Sequence, residues 1–201
     1  MTLPTDRFAQ AIERFDAANR EDPTRAAFDG RECPAELLYG LRMTEWLRRL
    51  APDASEALQL AVRCQHIRRW EIPRSSYPMT RPGYLQWRTT LGRFHADIAA
   101  DILRSVGYDE GTVARVQSLV RKEGLKSDPE TQTLEDVACL VFLENDYVPF
   151  ARGHEAEKVI HILKRTWRKM SDRGRQAALA LAETLPPDER ALVEQAVTGV
   201  T

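Results

Sequence analysis

Seven arginines lie between residues 63 and 93, a segment that contains a single acidic residue, Glu71. Guanidinium groups bind phosphate and carboxylate groups through pairs of parallel hydrogen bonds. Aromatic residues are interleaved with these arginines and could stack on a base or another ring. We therefore expect this segment to bind an anion, with phosphate the best match. The candidate binding residues are Arg63, Arg69, Trp70, Arg74, Tyr77, Trp87 and Arg88.

Two histidines and two carboxylates are further candidates for chemistry. His66 directly precedes the arginines, His95 lies within a long helical segment, and Glu135 and Asp136 enter the apolar run at 137–143. Each has a simpler interpretation as well. A lone helical histidine is often a core residue bonded to a carbonyl group. A histidine at the end of a helix, or a carboxylate in its first turn, can be explained by its favourable interaction with the helix dipole, without any role in a site.

The elements that must position these residues are helices. Apolar residues recur at helical spacing in nearly every segment, and no segment shows the sustained alternation of a strand. We predict an all-α protein, a single helical domain over residues 1–201, with no sheet. Pro73, Pro78 and Pro82 make residues 72–83 a Pro-rich loop, which we expect to fold over a pocket.

Helix ends can be predicted from the residues that favour them. Asp53 or Ser55 is expected to cap the helix that leads into His66, and Asp109 and Asp172 are expected to cap later helices. C-terminal helices are predicted over about 154–197. The first of these is amphipathic, and its basic residues lie between 158 and 169.

Composition limits the function classes. The formal net charge is −1, so no overall field attracts the chain to nucleic acid or to a membrane surface. The longest apolar run, 137–143, is far shorter than the ~20 residues of a membrane span. The three cysteines form no closely spaced pair, and Cys64 and Cys139 are expected to be buried thiols. These features favour a reducing, cytoplasmic setting.

Three segments, in their order along the chain, resemble the HD-domain superfamily of metal-dependent phosphohydrolases. An apolar helix ends in histidine in LQLAVRCQHI, a second helix carries histidine in FHADIAADIL, and a carboxylate enters an apolar helix in LEDVACL. The resemblance spans about residues 37–143. It implies a divalent metal ion held by His66, His95 and Asp136, with water at the remaining positions. Glu135 is then the candidate proton acceptor.

A second resemblance covers nearly the whole chain. The segments LLYGLRMTEWL, RCQHIRRWEIPRSSYP, GYLQWRTTLGRFHA, QTLEDVACLVFLE and TWRKMS are similar to a bacterial family known as domain of unknown function 4202. This resemblance implies membership of that family and carries no activity with it.

Three functions follow as hypotheses. The first is a metal-dependent phosphohydrolase that acts on a phosphorylated small molecule or a nucleotide. The second is a metal-free module that binds an anion or nucleotide on an HD-like helical frame; it is favoured because Tyr39 and Gln65 stand where that superfamily has metal ligands. The third is a helical interaction protein that uses residues 154–183 as its partner face.

Overall fold

Ten α-helices account for most of the chain in the computed structural model, which describes residues 6–198, and the all-α prediction is confirmed. The helices enclose one continuous hydrophobic core. They are α1 (Arg7–Arg20), α2 (Ala35–Leu50), α3 (Glu56–Arg63), α4 (Arg81–Ser105), α5 (Glu110–Val120), α6 (Pro129–Asn145), α7 (Tyr147–Arg152), α8 (Ala156–Lys169), α9 (Asp172–Ala182) and α10 (Pro187–Val197).

A small hairpin between α1 and α2 corrects the expectation that no strand would form. Strands β1 (Arg25–Phe28) and β2 (Arg31–Pro34) pair antiparallel, and Asp29 and Gly30 make the turn. Both turn residues have positive φ, 49° and 72°. Asp-Gly is the sequence that such a tight turn favours, because both central residues must adopt left-handed backbone. The strands themselves are too short to show alternation.

The helix caps follow the local sequence closely. Ser55 caps α3, since its hydroxyl group accepts a hydrogen bond from the backbone N–H of Leu58 at 3.1 Å. Asp109 caps α5 as predicted. For α9 the predicted cap is wrong by one residue: Ser171 is the cap, and Asp172 is the first helical residue.

Helices α2, α3, α4, α5 and α6 form the centre of the molecule, and α8 packs against α10 at the C-terminal end. The crossing of α2 and α3 is close. A Cβ atom at Gly40 of α2 would lie 2.8 Å from the carbonyl oxygen of Arg63, so only glycine fits there without displacement. This approach brings the chain that follows α3 directly over α2.

The largest fully buried side chains include Leu38, Met43, Leu60, Leu103, Leu119, Leu134 and Leu140.

The predicted Pro-rich loop contains some regular structure. Residues Arg74–Ser76 form a 3-10 turn, and α4 begins at Arg81, slightly earlier than expected. Another 3-10 turn, Arg69–Glu71, lies just before the loop. Within residues 6–198, no helix combines the length and apolar composition that crossing a membrane requires.

Candidate functional site

Two polar side chains from the end of α1 and the segment after it position the turn that carries His66. The amide oxygen of Asn19 accepts from the backbone N–H of Arg68 at 3.0 Å, where Arg68 adopts left-handed backbone with φ 53°. The carboxylate of Asp22 accepts from the N–H of Glu36 at 2.9 Å, at the first turn of α2. These contacts fix the beginning of α2 and the chain after α3 in one arrangement.

Between α2, α4 and α6 lies an open cavity of about 640 Å³, bordered by the chain after α3 and the turn after α5. Both predicted histidines and Glu135 line it. Basic residues outnumber acidic ones on its wall, so the cavity favours an anion. The basic residues are Arg69, Arg88, Arg93, Arg121 and Lys122, and the acidic ones are Glu123, Glu135 and Asp146.

His66 is held by a ring and a carboxyl group from α2. Its imidazole stacks on Tyr39, with ring centroids 4.0 Å apart and planes 9° apart. Its Nδ1 atom lies 3.4 Å from the carboxyl group of Glu36. Burial and the nearby charge of Arg69 lower the pKa of His66 well below its ordinary value. The ring is therefore neutral at physiological pH.

His95 lies deeper in the wall, and its tautomer follows from one contact. Its Nδ1 atom is 2.7 Å from the carbonyl oxygen of Ile67, which can only accept, so Nδ1 carries the proton. Burial lowers the pKa of His95 to about 4, so the ring is neutral. Its Nε2 atom is then an acceptor, and it has no hydrogen-bond partner among the described residues. The interpretation of His95 as a core histidine bonded to a carbonyl group therefore accounts for its Nδ1 atom but not for its Nε2 atom.

Glu36 is an unusual carboxyl group beside the cavity. Its pKa is raised to about 7: burial is the largest cause, the charge of Arg69 opposes it, and Asp22 and Asp146 add smaller increases. Arg69 lies 3.8 Å from the Glu36 carboxyl group, at the weak end of an ion pair. Arg69 is therefore only partly neutralised and keeps charge for a molecule in the cavity.

Glu135, the predicted proton acceptor, is an ion-pair anchor. Its carboxylate lies 2.5 Å from the ammonium group of Lys122 and 3.4 Å from that of Lys169. Burial alone would raise the pKa of Glu135, but the two ammonium groups outweigh it and lower the pKa to about 2. A carboxylate that is so weakly basic is a poor proton acceptor near neutral pH.

Asp136 lies outside the cavity, and the structure does not bring it together with the two histidines. Its carboxylate accepts from the backbone N–H of Ser171 at 2.9 Å, from the hydroxyl group of Ser171 and from the side-chain amide of Gln132. Adjacent helical residues point about 100° apart, so Asp136 and Glu135 face different surroundings. Among residues 6–198 no group of three His, Cys, Asp or Glu side chains could hold a metal ion. The side chains do not fit the predicted three-ligand site.

Two of the predicted anion-binding arginines are occupied elsewhere. Arg63 is buried and forms a bidentate ion pair with Asp16, at 2.7 and 2.6 Å. Arg74 donates to the carbonyl oxygens of Tyr77 and Pro78, at 3.0 and 2.7 Å, and so holds the Pro-rich loop. Both guanidinium groups bond to acceptors of the fold itself, which makes them less available to an anion.

The predicted aromatic residues also lie outside the cavity lining. The indole N–H of Trp87 donates to the carbonyl oxygen of Ile72 at 2.9 Å, and its ring packs beneath the guanidinium group of Arg69 at 4.8 Å. Trp70 and Tyr77 are half-buried and do not line the cavity. Of the seven predicted residues, Arg69 and Arg88 line it.

Several cavity residues were missed from the sequence. Arg93 lies on α4 between the predicted residues Arg88 and His95, whose seven-residue spacing places both on one face of the helix and could have drawn attention to this segment. Lys122 gave no such signal. It follows the end of α5 in left-handed backbone, with φ 58°, which a lysine does not predict.

Comparison with known proteins yields one match. A family model described as Domain of unknown function (DUF4202) matches residues 9–193, nearly the whole chain. No curated protein and no solved structure matches the chain.

Proposed function

Because the chain belongs to the DUF4202 family, whose description assigns no activity, we propose its function from the cavity: it binds a small anionic molecule that carries a phosphate group. The phosphate lies against Arg88, Arg93 and Arg69. This corresponds to the metal-free binding module among the hypotheses drawn from the sequence.

The observation that carries this proposal is the state of Arg88. Its guanidinium group forms no ion pair within the described part of the chain, and its hydrogen bond, to the hydroxyl group of Tyr84, is long at 3.4 Å. Its charge nevertheless contributes to lowering the pKa of His66, His95 and Glu135, so the group lies close to all three. A positive charge that lies beside two neutral histidines and forms no ion pair with a carboxylate favours an anion.

Arg93 and Lys122 strengthen the same edge of the cavity. Arg93 is exposed and, like Arg88, has no ion pair among residues 6–198. Lys122 is held by Glu135, which fixes the position of its charge. An arginine presents several donors in a fixed plane and can bind two phosphate oxygens at once. The pair of unpartnered arginines therefore suits a phosphate group better than a single carboxylate.

A hydrolytic function receives less support from the same geometry. Asp136 bonds to Ser171 and so is unavailable to a metal ion shared with His66 and His95. The low pKa of Glu135 weakens it as the base that would activate water. We therefore derive no reaction step through a metal ion.

The interaction-protein hypothesis is also weaker. The buried residues Val159 and Leu163 of α8 are covered within the molecule, where α8 packs against α10. The apolar face of the basic amphipathic helix is thus already occupied, and its exposed basic face is accounted for by solvation.

Thermal unfolding and calorimetry test the proposal with inorganic phosphate, pyrophosphate and nucleoside monophosphates, at constant ionic strength. A ligand at ~100 times its dissociation constant stabilises the fold by ~2.7 kcal/mol. We expect at least one of these anions to raise the melting temperature, and the double variant Arg88→Ala/Arg93→Ala to abolish the rise. Arg173→Ala, at an exposed position on α9, is the matched control and should respond like the parent.

Two outcomes would contradict the proposal. One is a melting temperature that none of these anions changes. The other is a double variant that binds them as tightly as the parent. Release of inorganic phosphate from a bound ester by the parent protein would instead favour the hydrolase.

A further inference from the structure

The deep wall of the cavity contains two acceptors that no protein donor satisfies. The Nε2 atom of His95 and the side-chain oxygen of Gln65 are both buried and lack a hydrogen-bond partner among the described residues. The two residues are only 2% and 6% exposed, and both line the cavity. A buried acceptor without a donor destabilises the fold, so such atoms mark a place where another group is expected.

The contact between His95 and Ile67 settles what kind of group His95 can receive. With its proton on Nδ1, the ring offers only a lone pair at Nε2. The ionised oxygens of a phosphate monoester, which also offer only lone pairs, cannot satisfy it. An anion at Arg88 therefore leaves this part of the cavity unexplained.

The size of the cavity leads to the same conclusion. Its volume of about 640 Å³ exceeds what a phosphate group fills and falls within the ~300–1,000 Å³ of ordinary ligand pockets. A ligand that uses the whole space has a body attached to its anionic group. That body faces His95 and Gln65.

We infer that the ligand is a phosphate monoester whose body carries hydroxyl or amino groups, which donate to Nε2 of His95 and to the side-chain oxygen of Gln65. This inference rests on the proposed function, because it assumes that the arginines hold the phosphate group. Sugar phosphates and nucleotides belong to this class. Alkyl phosphates do not, since their chains have no donor.

Calorimetry with three test ligands separates this inference from the proposed function. Inorganic phosphate has no body that extends from the arginines to His95 and Gln65, so it reports on the arginines alone. Ribose 5-phosphate and n-pentyl phosphate share a five-carbon body and a phosphate group, and only the former has hydroxyl groups. We expect ribose 5-phosphate to bind at least ~10-fold more tightly than n-pentyl phosphate, the ratio that one good hydrogen bond gives.

The variant Gln65→Leu removes one acceptor and should cut this preference several-fold, while the affinity for inorganic phosphate stays unchanged. Unchanged phosphate affinity also shows that the variant has folded. Gln176→Leu, at an exposed position on α9, is the control and should keep the full preference.

A second measurement needs no substitution. In ¹⁵N spectra of histidine-labelled parent protein, the Nε2 resonance of His95 should shift with ribose 5-phosphate and stay in place with inorganic phosphate. The exposed His154, whose Nδ1 also faces a carbonyl oxygen, should respond to neither. Equal affinities for the two esters, together with an unshifted resonance, would overturn the inference and leave the anion site standing. If none of the three ligands binds, the proposed function itself fails.

Discussion

Glu135 and Asp136 are adjacent in α6, yet their carboxylates belong to different parts of the molecule. Glu135 pairs with Lys122 at 2.5 Å on the cavity wall, and Asp136 accepts from the backbone N–H of Ser171 at 2.9 Å, where α9 begins. Of these two adjacent residues, Glu135 therefore belongs to the cavity and Asp136 to the packing of α9 on α6. The two carboxylates should respond differently to substitution.

Asp136→Ala should destabilise the fold without affecting anion binding. The substitution removes three hydrogen bonds from a buried group and leaves the N–H of Ser171 without its partner, so we expect a loss of ~2–4 kcal/mol in unfolding free energy. Denaturant unfolding measures the loss. Asp136→Asn keeps one acceptor and should lose less unfolding free energy than Asp136→Ala.

Gly174→Ala provides an independent check of the same contact. A Cβ atom there would lie 2.6 Å from the carboxyl carbon of Asp136 and must displace it. A metal-ligand role for Asp136 predicts the opposite pattern: unchanged stability in metal-free protein and loss of bound metal, which elemental analysis of Asp136→Ala would reveal.

The ion pair of Glu135 with Lys122 allows a comparison between two lysines in similar backbone. Lys122 and Lys126 both have positive φ, 58° and 75°, so Met substitution costs the same backbone strain at each. Lys122→Met leaves Glu135 buried with only the more distant Lys169, and we expect it to destabilise the fold by ~3 kcal/mol.

Lys126→Met removes a hydrogen bond to the carbonyl oxygen of Arg168 from an exposed position and should cost ~1 kcal/mol. Adding Glu135→Gln to Lys122→Met should recover part of the loss, because it removes the unpaired charge. Equal effects of the two lysine substitutions would show that burial of Glu135 is not costly.

Arg74 was predicted to bind the anion, and its contacts assign it to the loop. Arg74→Ala should lower the unfolding free energy by ~1–3 kcal/mol, the value of hydrogen bonds from a charged donor, and should increase proteolysis within the Pro-rich loop. Arg74→Lys should restore only part of the lost unfolding free energy, since an ammonium group lacks the planar set of donors that a guanidinium group has. Arg81→Ala, at an exposed neighbouring position, is the control.

The response to phosphate distinguishes the two roles of Arg74. If Arg74 serves the loop alone, the Ala variant melts at a lower temperature, but saturating phosphate raises its melting temperature by as much as that of the parent. If the gain disappears, Arg74 contacts the ligand and our assignment is wrong.

The sequence predicted what depends on local chemistry. Helix periodicity and side-chain caps such as Ser55 and Asp109 act within a few residues, and these predictions are confirmed. The turn at Asp29 and Gly30 was equally local and could have been predicted from its Asp-Gly dipeptide.

The partners of the arginines could not be predicted in the same way. Arg63 pairs with Asp16, 47 residues away along the chain, and nothing in either segment distinguishes this arginine from Arg69. Only the crossing of the helices decides which guanidinium group is neutralised and which remains available. Of the arginines predicted to bind the anion, the structure places Arg69 and Arg88 on the cavity wall and engages Arg63 and Arg74 elsewhere.

The stability of the protein should depend on pH through Glu36. Its pKa is raised from 4.5 to about 7, so the folded state binds a proton more tightly than the unfolded state between these values. Unfolding then releases a proton, and stability falls as pH rises through this window, with a slope of at most ~1.4 kcal/mol per pH unit. Above pH 7 the contribution is constant.

His66 and His95 have the opposite effect. Their pKa values are lowered, so the unfolded state binds protons more tightly, and stability rises with pH until about 6.5. The parent's own pH profile therefore mixes opposing trends. The difference in unfolding free energy between the parent and Glu36→Gln cancels most of the histidine trend, because both proteins keep the histidines.

We expect this difference, parent minus variant, to decline between pH 4.5 and 7 and to level off above. Denaturant unfolding at half-unit pH steps measures it. Glu45→Gln is the control on the same helix; that glutamate is half-exposed and pairs with Arg49 at the surface, so its difference curve should lack the decline. A flat curve for Glu36→Gln would mean that the carboxyl group ionises normally beside Arg69, and that Arg69 is then fully paired and unavailable to an anion.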